Sequence, residues 1–139
     1  MSINNFDNLQ CPQLESLLCY YDYTIELFRL GAHICLGVHH GGELIARATG
    51  ESIATALKRA NSYLGSKFSM PKLYTESNSK LDSVILNGGA TISISAYVTY
   101  TRFTCTLSSS DEHVLAIGNA SSLAEALNNL EDMSNIYGL

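Results

Sequence analysis

Apolar and polar positions along this chain switch repeatedly between a spacing of two and a spacing of three to four. Leu14, Leu17, Leu18 and Tyr21 recur at helical spacing and predict a helix over 12–21. Pro12 opens it at a position where a missing N–H goes unnoticed. From Tyr23 the spacing is two, with Tyr23, Ile25 and Leu27 alternating against Thr24, Glu26 and Phe28, as in a half-buried strand. Leu30-Gly31 and Gly41-Gly42 mark tight connections, so 32–39 and 43–48 complete a three-stranded antiparallel meander. The spacing then returns to helical: Ile53, Ala56, Leu57, Ala60 and Leu64 form the inner stripe of a helix ending near Gly65, with Thr49 or Ser52 as its N-cap.

Residues 66–83 lack a strong period. Pro71-Lys72-Leu73 echoes Pro12-Gln13-Leu14, and a second short helix is expected over 76–86, stopped by Asn87-Gly88-Gly89. Beyond it, Ile92, Ile94, Ala96 and Val98 alternate with Ser93, Ser95, Tyr97 and Thr99 in a strand over 91–100. Strands over 102–107 and 113–117 follow around a polar loop. Ser122 and Glu125 have the spacing of a capping box, and Leu123, Ala126, Leu127, Leu130 and Met133 line the last helix. The closing Ile136, Tyr137 and Leu139 offer apolar contacts.

The same series of elements is thus written twice. Residues 44–57, LIARATGESIATAL, reappear 70 positions later as VLAIGNASSLAEAL, sharing Ala46/Ala116, Ser52/Ser122, Ala54/Ala124, Ala56/Ala126 and Leu57/Leu127. Carried backwards, that offset pairs Cys35 with Cys105. The expected fold is α+β: one domain over 1–139, its antiparallel sheet built from two βββα repeats (about 12–65 and 71–134) with helices packed on one continuous sheet.

Composition narrows the function. With 139 residues, 46% of them hydrophobic, the chain has core enough for one domain. Eight Lys and Arg against 13 Asp and Glu argue against nucleic acid as a partner, because phosphate attraction needs clustered cations. The four cysteines, at 11, 19, 35 and 105, have no metal-ligand or disulfide-scaffold spacing. The segment MSINNFDNLQ has no signal-peptide pattern, so a cytosolic protein with reduced thiols is expected. No apolar run reaches the roughly 18–20 residues that cross a bilayer, so no membrane role is expected.

Candidate chemistry is sparse. His39 and His40 are adjacent on a strand, which sends them to opposite faces, and His33 with Cys35 supplies only half of a tetrahedral metal site. No metal or other cofactor is therefore assigned. Nothing resembles a nucleophile elbow, a P-loop or a dinucleotide fingerprint. Cys35 and Cys105 read as small core residues at equivalent positions of the two repeats. What remains is a set of cations, Arg47, Lys58 and Arg59 in the first half and Arg102 in the second, the last beside Tyr97, Tyr100 and Phe103. Arg with aromatic rings suits stacking on a base and gripping its phosphate. The candidate ligand-binding residues are Arg47, Arg59, Tyr97, Arg102, His39 and His40.

Residues 23–64, with Gly31, Gly41-Gly42 and TGESIATALKRA, resemble the βββα portion of HicB-type antitoxins and, more loosely, of double-stranded-RNA-binding domains. In the second half, MPKLYTESNSKLDSV, ATISIS, RFTCTL and AIGNASSLAEAL resemble the phage ABA sandwich family of small bacteriophage-encoded proteins. That resemblance implies a phage or prophage accessory protein and carries no catalytic motif. The leading expectation is a non-enzymatic, homo-oligomeric binding protein that counters host defence by sequestering a small nucleotide or blocking a host protein. The alternatives are a small enzyme acting on a nucleotide or peptide through His39, His40 or His113, and an antitoxin-like interaction module. Exposed sheet edges and eight tyrosines point to the oligomer.

Overall fold

The structure, a computed structural model, describes residues 6, 9–65, 79–97 and 102–136. Its elements are α1 (Pro12–Tyr20), β1 (Thr24–Leu30), β2 (His33–His40), β3 (Glu43–Gly50) and α2 (Ile53–Gly65), then α3 (Lys80–Gly88), β4 (Thr91–Tyr97), β5 (Arg102–Ser108), β6 (Val114–Ala120) and α4 (Leu123–Ile136). The six strands form a single antiparallel sheet in the order β3-β2-β1-β4-β5-β6. The two meanders meet at their first strands, where Ile25, Glu26 and Leu27 lie opposite Ile94, Ser93 and Ile92. The expected α+β class and continuous sheet are therefore what the chain forms.

Several boundaries move. Thr49 and Gly50 extend β3 rather than opening a helix, and Ser52 is the residue that caps α2, its hydroxyl accepting from the Thr55 amide at 3.1 Å. The predicted stripe of α1 loses one member: Tyr21 lies past the helix end and is 61% exposed, whereas Leu14 and Leu18 are buried. α3 begins at Lys80, with Ser79 and Asp82 forming a capping box and Gly89 closing the helix at φ 71°. The expected start of that helix at residue 76, the strand positions 98–100, the stretch 66–78 and the tail from 137 lie outside the described residues. Among the described residues, no helix is long and apolar enough to cross a membrane.

Strand register sorts the side chains into two faces. Across the helix-covered face runs the row Ala46, Val38, Ile25, Ile94, Cys105 and Gly118, and beside it the row Ala48, Leu36, Leu27, Ile92, Leu107 and Ala116. Large residues fill the middle of each row and small ones the edge strands. α2 can therefore settle onto β3, and α4 onto β6, close to the strand backbone. Gly118 shows how close: a Cβ there would sit 2.5 Å from the Ala126 carbonyl oxygen and against the Leu130 amide nitrogen.

The same register corrects the pairing of Cys35 with Cys105. In β3 and β6 the offset of 70 matches Ala48 to Gly118, but their cross-strand partners are Leu36 and Cys105, an offset of 69. The hairpin from Cys105 to its partner Gly118 takes one residue more than that from Leu36 to its partner Ala48, and a one-residue slip changes the face of a strand residue. Both thiols are buried, Cys105 under the helices and Cys35 on the opposite face.

The four helices are tied to one another by their N-termini. Glu15 of α1 accepts from the Leu123 amide that opens α4 (2.7 Å), and Glu131 of α4 accepts from the Lys80 amide that opens α3 (2.8 Å). Asp82 of α3 accepts from the Ile53 amide that opens α2 (2.7 Å), and Asn61 of α2 accepts from the Gln13 and Leu14 amides of α1 (2.8 and 3.1 Å). Each helix thus satisfies orphan amides of the next, and the set closes on itself. Sequence spacing reveals only caps within one helix, so this ring was not legible before the fold was known.

Candidate functional site

With all four helices on one side, alternation along the strands directs Glu26, Phe28 and Leu30 of β1, Cys35, Gly37 and His39 of β2, and Arg47 of β3 to the uncovered face. Gly37 is the low point of this surface. It lies between Glu26 and Arg47 in the register, and a Cβ there would come 3.1 Å from His39 Nε2 and 3.2 Å from Leu44 Cδ1. The His39 and Leu44 side chains therefore lie over the glycine. Arg47 also lies down on the sheet: its Nη2 donates toward Cys35 Sγ at 3.6 Å, which helps bury that thiol. The result is a shallow patch joining a guanidinium, an imidazole and the half-buried Phe28 ring.

The remaining candidates fall elsewhere. His40 is turned to the helix side and stacks on Tyr23, with ring centroids 4.5 Å apart and an interplanar angle of 21°. Arg59, on α2, donates from Nη1 to the Thr49 carbonyl at 2.9 Å, tying the helix to the end of β3. Asn129 does the same for α4 by donating to the Asn119 carbonyl at 2.8 Å. Arg102 is exposed at the start of β5, directly opposite Tyr97 in the register, while Tyr100 lies outside the described residues and Phe103 is buried beneath the helices. From β3 to β5 is four inter-strand steps, about 19 Å at ~4.8 Å each. The fold brings Arg47 and His39 together, and it keeps Arg59, His40 and the Tyr97–Arg102 pair apart from them.

Gly37 and Leu44 were not among the sequence candidates. An isolated glycine inside a strand is the signal that could have found them, because it marks a close approach of another group.

A cleft of about 440 Å³ between the starts of α1 and α4 is lined in part by Cys11, Glu15, Ser122 and Glu125. Burial, reinforced by the nearby Glu15 carboxylate, pushes the Cys11 thiol up to about 12, and Glu15 is engaged by the Leu123 amide. Burial also raises the thiols of Cys19 and Cys105. Among the described residues no group of three His, Cys, Asp or Glu side chains could hold a metal ion.

All four cysteines are free and buried. Native protein at pH 8 is therefore expected to leave a thiol reagent nearly unreacted over minutes, and four thiols are expected to appear on unfolding in guanidinium. Rapid labelling of one thiol in the native state would show a reactive cysteine that this packing does not provide.

No family model matches the chain, and no curated protein or solved structure matches it with significance.

Proposed function

We propose that this chain is a non-enzymatic binding protein, a phage or prophage accessory protein that blocks a host protein complex, and that the open sheet face is the surface it presents. The observation that carries this reading is the one-sided packing of the helices, which among the described residues leaves a six-stranded face uncovered. At ~4.8 Å per strand that face is about 24 Å wide, a broad, shallow surface of the sort proteins use for other proteins. Leu30 and Leu44 are exposed on it, with Glu26, His39 and Arg47 between them, an apolar surface dotted with orienting charges. The phage origin rests on the resemblance of the second half.

The test is retention of a host protein from bacterial lysate by immobilised chain. Wild type and a helix-side control, Ser83→Glu, are expected to hold one protein in near-stoichiometric amount, and Leu30→Glu with Leu44→Glu is expected to lose it. Retention that ignores the face variants would sink this reading.

Sequestration of a small nucleotide is the second reading, favoured by Arg47, His39 and Phe28 sharing one face of neighbouring strands. Calorimetry with a nucleotide panel separates the two. Binding that is abolished by Arg47→Ala and indifferent to Arg102→Ala supports sequestration at this patch, and turnover of the nucleotide supports the enzyme alternative.

A further inference from the structure

An antiparallel sheet that does not close has two edge strands, among the described residues β3 and β6. Their settings are alike. Each pairs with its neighbour through a bulge, at Val38/His39 for β3 and at Leu107/Ser108 for β6, and each has a helix packed behind it. Their side chains differ. Edge strands expose unpaired N–H and C=O groups, which soluble proteins guard with charge or proline. β3 carries Glu43 and Arg47, whereas β6 carries no charged residue and no proline. Where β3 has Arg47, β6, 70 residues on, has Ile117. Val114 and Ile117 are 59% and 45% exposed, and with Leu115 and the half-buried Met133 they line an apolar groove of about 250 Å³ along the edge.

We infer that β6 is a self-association edge, pairing antiparallel with β6 of a second copy across a two-fold axis so that one sheet runs through both protomers. Charge selects this occupant. β6 sets no like charges against one another when paired with itself. Antiparallel pairing also brings the start of one β6 to the end of the other, so the exposed Asp111 and Glu112 that precede β6 approach the partner at its Ala120 end. There Ala120 lies opposite Phe103, next to the exposed Arg102, and α4 begins with the positive end of its dipole. The contact is made twice by symmetry, and it offsets the general repulsion between copies of net charge −5. This inference stands apart from the host-partner reading, since it uses the edge of the sheet and not its open face.

Sedimentation equilibrium from micromolar to sub-millimolar protein tests it. Wild type is expected to be a dimer. Ile117→Arg installs on β6 the guard that β3 already carries, so the strand setting tolerates it, and it is expected to raise the dimer Kd about 100-fold or more. Ile45→Arg on β3 is expected to leave the Kd within about threefold. Arg102→Glu is expected to weaken the dimer about tenfold, and adding Asp111→Arg to that variant is expected to restore it. Circular dichroism confirms the fold of each variant, and the charge-swapped pair reads out the interface even if Ile117→Arg fails to fold. The inference is overturned if wild type is monomeric throughout, if dimers survive Ile117→Arg in folded protein, if Ile45→Arg disrupts them equally, or if assembly is open-ended, which would mean β3-to-β6 pairing or another contact.

Discussion

Gly118→Ala is expected to destabilise the protein by about 3 kcal/mol and to lower its melting temperature by about 10 °C. The added methyl would meet backbone, the Ala126 carbonyl and the Leu130 amide and Cα, so no side-chain rotation can make room for it. α4 must lift from β6 along its length, which opens space around the fully buried Ala126, Leu127 and Leu130. Gly37→Ala is the control. Its Cβ would meet only the ends of the His39 and Leu44 side chains, which can swing toward solvent, and its cost is expected to stay below about 1 kcal/mol. Urea unfolding curves of the two variants measure the difference, and equal midpoints would show that α4 is not seated directly on the strand.

Asp82→Ala is expected to cost a similar amount, about 3 kcal/mol, by a different route. The Asp82 carboxylate accepts from the Ile53 amide through Oδ1 (2.7 Å) and from the Ser79 amide through Oδ2 (2.8 Å), so it holds the start of α2 and the start of its own helix together. Without it, two amides in a buried setting lose their acceptor. Asp82→Asn keeps a single acceptor oxygen and is expected to fall between the two. The pH dependence separates charge from shape. Burial raises the Asp82 carboxyl above its ordinary 3.8, against the pull of the amides and of the Ser79 hydroxyl, and Glu131 adds repulsion. A raised carboxyl pKa means that the folded state holds the proton more tightly than the unfolded one. That contribution is fully present below 3.8 and is lost as pH rises through the folded value. Wild type is therefore expected to gain stability relative to Asp82→Asn as pH falls toward 3.8 and to gain nothing more below it. A constant difference between the two proteins across that range, measured by denaturant unfolding at each pH, would contradict the assigned shift.

Much of this architecture could be read from spacing. The alternation of Ile25 and Leu27, and of Ile92 and Ile94, identifies strands and their inward faces because a pleated strand has a period of two whatever surrounds it. The stripes Ile53, Ala56, Leu57, Ala60 and Leu123, Ala126, Leu127, Leu130 do the same for α2 and α4, and these residues are buried. The candidate site was far less legible. Arg47 and Arg59 are both cations of the first half, yet one lies on the open face and the other is a strut to the Thr49 carbonyl. His39 and His40 are adjacent and end on opposite sides of the sheet. Residue type announces what a side chain can do, and only its neighbours determine whether that capacity is already engaged.

The sequence by itself determined which segments are helix and strand, which of their faces are apolar, and that an α+β fold results, because these properties follow from local periodicity and turn chemistry. The tertiary structure alone decided which faces meet. It set β1 against β4, closed four helix N-termini into a ring through Glu15, Glu131, Asp82 and Asn61, and left β6 as the unguarded edge. It also moved Cys35 and Cys105 to opposite faces, because one additional residue between the paired positions of a hairpin shifts a strand register by a full side-chain reversal. Such outcomes depend on residues far apart in the chain, where spacing along the sequence carries no information about distance in space.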